Sequence, residues 1–71
     1  MNTIIINQEP VELFKVLKFE GIVGSGGEAK MVISEGMVKV NGEVETQKRK
    51  KVVSGDTIEF MDESYNVTLG E

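Results

Sequence analysis

In GMVKVNGEVETQKRKKVVSGDTIEF, residues 36–60, apolar side chains recur every second position. That period predicts strands: Val38, Val40 and Val44 are expected to point inward and Lys39 outward. Asn41-Gly42 between them signals a tight hairpin, because both central residues of such a turn need positive φ. Ser54-Gly55-Asp56 reads as a second turn. After it, Ile58 and Phe60 alternate inward against outward Thr57 and Glu59. The stretch is therefore a hairpin, a connection and a returning strand. Lys48, Arg49, Lys50 and Lys51 stand side by side in the connection.

Working outward, TIIINQ at 3–8 is β-branched and short, which predicts a strand. Pro10 suits the first turn of a helix, where its missing N–H is no loss. In VELFKVLKFE, Val11, Leu13, Phe14, Val16, Leu17 and Phe19 cover more than one stripe, as expected of a helix packed on two sides, and Gly21 suits its C-terminal end. The next helix has a sharper start, since Ser25 and Glu28 have the S-x-x-E spacing of a capping box. Ala29, Val32 and Ile33 form its apolar face and Gly36 ends it. Beyond residue 60, YNVTLG alternates Tyr65, Val67 and Leu69 inward, giving a flanking strand at 65–69. The order is strand, helix, helix, then several strands, an α+β class in a single domain spanning residues 1–71. No repeat or linker interrupts it.

Composition narrows the chemistry. Seventy-one residues with no cysteine must be stabilised by one compact apolar core, which fits a reducing, cytoplasmic setting. The first ten residues carry no cationic leader, and three isoleucines are far short of a membrane span. With neither His nor Cys, the usual zinc, copper, iron–sulfur and thiolate sites are excluded, as are Ser/His/Asp and Cys/His nucleophiles. No cofactor is expected. Glu43 with Glu45, and Asp62 with Glu63, lack any ligand-loop or catalytic context and read as a solvated anionic surface.

Charge is unevenly distributed. The net charge is −4, yet residues 30–51 hold six cations against three acids, or +3, leaving −7 elsewhere. Docking responds to the local field, so overall acidity does not exclude an anionic partner at one face.

Several residues together resemble a known family. Leu13, Leu17, Gly21, Ser25, Ala29, Ile33, Gly36, Val38, Val40-Asn41-Gly42, Val44 and Gly55-Asp56-x-Ile58 look like the RNA-binding domain named after ribosomal protein S4, the alpha-L motif. The match spans about residues 11–60. Its small stand-alone bacterial versions, the YbcJ-like proteins, are the nearest in form. The resemblance implies two N-terminal helices packed on a small, mainly antiparallel sheet, and an RNA binder without catalytic machinery. It also implies that RNA is held by the start and exposed face of the second helix, here Ser25 to Lys30, and by the loop carrying Lys48, Arg49, Lys50 and Lys51. The family commonly carries Arg directly after the serine; this chain has Gly26.

The glycines of GSGGEAK do not make a nucleotide loop. No glycine precedes a lysine as in a Walker loop, and a helix rather than a strand comes before. Gly26 and Gly27 nevertheless leave backbone N–H groups at a helix start open to a phosphate, although the same small residues also serve simply to form the turn. Lys30, a turn further on, reaches either that phosphate or water. For residues 48–51 the bland reading is a solvated loop. Against it, four successive cations repel one another, and a phosphate backbone relieves that repulsion while releasing counterions. Neutralising about five phosphates would make log K fall against log[salt] with a slope of roughly −3 to −4. Lys39 either extends the patch or is a solubilising strand lysine. Phe14, Phe19, Phe60 and Tyr65 all occupy apolar-periodic positions and are expected in the core, so RNA shape and backbone should count for more than base edges.

The expected partner is structured RNA, ribosomal or transfer RNA, bound by a monomer in ribosome assembly or translation, with no membrane or small-molecule substrate. Two other classes compete. A ubiquitin-like sulfur carrier is also small, acidic and α+β, but it works through a terminal Gly-Gly, whereas this sequence ends LGE. A protein-interaction module would use the basic loop against an acidic partner, and competition by RNA separates it from an RNA binder.

Overall fold

The computed structural model describes residues 2–70. In chain order the elements are β1 (Asn2–Ile6), β2 (Val11–Glu12), α1 (Leu13–Phe19), α2 (Gly26–Ser34), β3 (Val38–Val40), β4 (Glu43–Val44), β5 (Lys51–Val52), β6 (Thr57–Phe60) and β7 (Glu63–Leu69). Five strands form one sheet in the order β1-β7-β6-β3-β4, while β2 and β5 form a separate pair. Only β1 and β7 run parallel; the other pairings are antiparallel.

The expected α+β architecture is present, and its core has one inner sheet face and two helix stripes. Ile4, Val67, Ile58, Phe60, Val38 and Val40 line the sheet side. Leu13, Val16 and Leu17 of α1 and Ala29, Val32 and Ile33 of α2 pack against them. The spacing i, i+3, i+4 puts each trio on one helix face. No polar or charged residue is buried among those described. Stability therefore comes from apolar burial, at about 1.5–3 kcal/mol for each large side chain removed from water.

The helix start at Ser25 forms as the spacing predicts, with one shift. Ser25 Oγ accepts the Glu28 N–H at 3.1 Å, while the Glu28 carboxylate accepts from Gly24 N at 2.7 Å rather than from Ser25. At the other end Gly36, at φ 76°, lets Met37 N donate to Val32 O, closing the last turn. Asn41 and Gly42 both have positive φ, 54° and 85°, as their hairpin requires.

Several expectations are corrected. Pro10 does not open a helix: Val11 and Glu12 are extended and pair with Val52 and Lys51, so α1 begins at Leu13. β1 ends at Ile6, short of the expected residue 8. Val44 is 55% exposed. The two-residue hairpin sets Val44 directly opposite Lys39, and directly opposed residues share a face, so Val44 points outward with Lys39. Phe19 is 68% exposed. It follows Leu13 by six residues, which at 100° per residue places it away from the buried stripe. Phe60 is buried, and Phe14 and Tyr65 are half-buried against the core. Leu69, at the end of β7, lies beyond the packed core and is exposed.

Candidate nucleic-acid interface

The basic segment is not a free loop. The residue before α1, Glu12, makes no side-chain cap, so the first N–H groups of that helix need other acceptors. The basic segment supplies them: Leu13 N donates to Lys50 O at 2.9 Å and Phe14 N to Lys48 O at 3.1 Å. Lys50 N in turn donates to Gln47 O at 3.1 Å, and Gln47 N to the Glu45 carboxylate at 3.0 Å. Beyond them Lys51 and Val52 pair with β2. The backbone is thus held while the cationic side chains of residues 48–51 remain exposed.

The far end of the segment is fixed by a second network, which explains the VNG and GD motifs. Asp56 accepts from Asn41 Nδ2 at 3.0 Å and from Val53 N at 3.0 Å. Asn41 Oδ1 accepts from Thr57 N at 2.9 Å, and Glu9 accepts from Ser54 N at 2.7 Å. Both turns are locked to each other, leaving the cations between them anchored on two sides.

The candidate residues divide into three groups. Lys30 comes together with Lys48 and Arg49 around an open cleft of about 420 Å³, which Ser34, Thr46 and Gln47 complete. No carboxylate lines it among the described residues. Lys30 Nζ lies 5.0 Å from the centre of the Phe14 ring, a cation–π contact that holds its stem against α1. Among the described residues Arg49 makes one long ion pair, Nε to Glu12 Oε2 at 3.9 Å, and stays 77% exposed. Ser25, Gly26 and Gly27 lie at the start of the same helix as Lys30, and Lys18 runs alongside: a Cβ on Gly26 would meet Lys18 Cδ at 3.7 Å.

Lys39 and Lys51 face elsewhere. Each sits directly across a strand pair from a glutamate, Lys39 from Glu59 and Lys51 from Glu12. Lys51 lines a larger groove of about 610 Å³ along β1 and α1, whose charged members Glu12, Lys15, Glu20 and Lys51 cancel. Lys39 lines one with Glu59, Asp62 and Glu63, of net negative charge. The cleft beside α2 differs from these two grooves in its net positive lining and not in its size. Lys50 is exposed on the loop but outside the cleft. Ser34, Thr46 and Gln47 were not singled out by sequence. Ser34, four residues after Lys30 on one helix face, carried a usable signal; Thr46 and Gln47 did not.

Among the described residues, no group of three or more His, Cys, Asp or Glu could hold a metal ion, and no helix is long and apolar enough to cross a membrane.

Comparison with known proteins identifies the family of the chain. The family described as "S4 domain" matches residues 4–68. The "Putative RNA-binding protein YbcJ" of Escherichia coli (strain K12) is 48% identical over 68 residues, covering 94% of this chain and 97% of the relative. The "Probable ribosome maturation protein RlbA" of Bacillus subtilis (strain 168) is 38% identical over 59 residues, 83% of each chain. The solution structure of YbcJ from E. coli, described as revealing an alpha-L motif involved in RNA-binding, superposes with a TM-score of 0.72 at 46% identity. It covers 96% of this chain and 87% of its own. Fold, motif and sequence agree, and the chain belongs to the S4 domain family.

Proposed function

We propose that this protein is a non-catalytic RNA-binding domain, residues 1–71 acting as one unit, that binds structured RNA as a cytoplasmic monomer. The RNA is ribosomal or transfer RNA, and the role lies in ribosome assembly or translation. One observation carries the reading: Lys30 of α2 and Lys48 and Arg49 of the anchored loop converge on a cleft lined, among the described residues, by no carboxylate, in a protein whose net charge is −4. An acidic chain that gathers cations on one fixed site is arranged to attract a polyanion there while the remaining surface keeps it soluble. The names of the two relatives, one for RNA binding and one for ribosome maturation, point the same way.

The start of α2 adds to the surface. Gly26 and Gly27 contribute backbone N–H groups there, Ser25 caps the helix, and Lys50 contributes to the field of the loop without lining the cleft. Binding should be measured against transfer RNA and a folded ribosomal RNA fragment over a salt series. Three converging cations should give a slope of about −2 to −3 in log K against log[salt], shallower than all the candidate cations together would produce. Replacing Lys48, Arg49, Lys50 and Lys51 with alanine should weaken binding roughly tenfold or more across most sequences. A flat salt dependence, or wild-type affinity in that variant, overturns the reading. Sedimentation should return the 7.8 kDa monomer.

A further inference from the structure

The five-stranded sheet has two edges, and they are finished differently. On one side β4 is two residues long and carries Glu43, features that discourage a further strand. On the other, β1 runs Asn2, Thr3, Ile4, Ile5, Ile6, without a charge or a proline, in unbroken register with β7. Proteins rarely leave such an edge bare. Its unpaired groups can be identified. In a parallel pair a residue turns its N–H and C=O to one side, and its neighbours turn theirs to the other. Ile6 O accepts from Gly70 N at 2.7 Å, and Gly70 follows Leu69, the register partner of Ile6. Ile4 and Ile6 therefore bond toward β7, while Thr3 and Ile5 present their N–H and C=O at the free edge. Among the described residues no backbone bond from outside the β1–β7 pair reaches either of them.

Donors and acceptors alternating along an extended row are complementary to another extended backbone. A phosphate would take the donors and leave the acceptors unpaired. The groove beside the edge sets the side chains: Val11, Val16 and the exposed Phe19 line it, so a strand laid along β1 turns every second side chain to an apolar wall. Its other side chains would lie beside Ile5, which is 64% exposed. Because Glu12, Lys15, Glu20 and Lys51 cancel, the groove draws neither a polyanion nor a strongly charged segment, and its charge complement is a neutral one. A second copy of this chain fits less well. A stable dimer buries about 800 Å² per partner, about a fifth of the 4413 Å² surface of this protein. An edge of five residues, about 17 Å long, does not by itself supply that.

We infer that β1 takes up a neutral, extended segment of a partner protein, apolar at alternate positions, as an additional strand of the sheet. Main-chain bonds to Thr3 and Ile5 hold the segment, and the α1 wall of the groove selects its side chains. The groove and the cationic cleft share no lining residue, so RNA and the segment can be held together. The inference goes beyond the RNA-binding reading and does not depend on it.

The test uses the full isotope-labelled chain and an end-capped peptide of alternating threonine and valine flanked by glycines, with amide hydrogen exchange followed by NMR. At a peptide concentration about ten times Kd, exchange at Thr3 and Ile5 should slow about tenfold. Exchange at Ile4 and Ile6, already bonded to β7, should change little. The same peptide N-methylated at every residue keeps its side chains and loses its donors, and it should bind at least about tenfold more weakly. That comparison decides the question on the unchanged chain. Thr3→Pro removes one outward N–H at a position an edge strand tolerates, and it should weaken the peptide while leaving affinity for transfer RNA unaltered. Equal binding of the methylated peptide, no protection at Thr3 and Ile5, or displacement of the peptide by transfer RNA overturns the inference. So does protection that grows with protein concentration in the absence of peptide, which gives the edge to a second copy. A chain that takes the peptide but shows no salt-dependent RNA binding would overturn the RNA-binding reading and leave this inference standing.

Discussion

Asn41 and Asp56 show how a motif that looks like a binding signature can be architectural. Asn41 holds a left-handed backbone conformation, φ 54°, which asparagine tolerates better than most residues. Its side chain donates to Asp56 and accepts from Thr57 N. Replacing Asn41 with alanine removes both bonds and leaves a residue poorly suited to that φ. At about 0.5–1.5 kcal/mol per bond, the unfolding free energy should fall by about 2 kcal/mol in urea with an unchanged m-value. The salt slope of RNA binding should not move; a shallower slope would show Asn41 acting in the RNA site. Gly26 is the opposite case, a position with room to gain function. Its φ lies outside the left-handed region and the nearest atom to an added Cβ is Lys18 Cδ at 3.7 Å, an ordinary contact. Gly26→Arg should therefore fold. A cation at a helix start opposes the dipole by about 0.3–1 kcal/mol, but one added phosphate contact should steepen the salt slope by about 0.7–0.9. A steeper slope with tighter binding confirms that the start of α2 faces RNA; an unchanged slope removes it from the interface. Both turns were legible as turns, since Asn-Gly and Ser-Gly-Asp are local signals. The bond joining them spans 15 residues and depends on β3 and β6 being neighbours, which local chemistry does not encode.

Among the elements, α2 was readable because capping residue, apolar stripe and terminal glycine all agree on one helix. The start of α1 was not. Whether Val11 continues a helix or forms a strand depends on the arrival of Val52 opposite it, a tertiary event. The same event makes the basic loop part of α1, since the carbonyls of Lys48 and Lys50 take the place of the missing cap. These are backbone bonds, so alanine at the four cationic positions keeps them and the fold should survive. Proline at position 50 tests the anchoring directly. It removes the Lys50 N–H that donates to Gln47 O and restricts Arg49 to extended conformations, where it now sits in a turn. Lys50→Pro should lower stability by about 1–3 kcal/mol in denaturant titration. It should also weaken RNA binding more than Lys50→Ala does, although both variants remove the same charge. Equal losses would show that the loop acts through charge alone, without a fixed shape.

At the scale of the whole molecule, the question is which cations RNA senses, and the answer depends on salt. The protein measures 32 × 21 × 18 Å. At 0.01 M salt the Debye length of about 30 Å spans it, so an approaching polyanion senses every charge. At 0.15 M the length is about 8 Å, and only the local field counts. Lys39 and Lys51 each sit across a strand pair from a glutamate and line grooves that carry carboxylates, whereas the cleft of Lys30, Lys48 and Arg49 carries none among the described residues; none of the four lysines makes an ion pair among those residues, and Arg49 makes a long one with Glu12. This partition was hidden in the sequence, where six cations between residues 30 and 51 look equivalent; pairing across strands separates them. Alanine at Lys30, Lys48 or Arg49 should each cost about threefold or more in RNA affinity at 0.15 M salt, and alanine at Lys39 or Lys51 less than about twofold. Lowering the salt to 0.01 M should bring the five losses closer together, because the two compensated lysines then act at long range. Equal losses from all five at 0.15 M would mean that the RNA wraps the sheet and the β1–α1 groove as well. The interface would then be the whole perimeter of the protein and not the cleft beside α2.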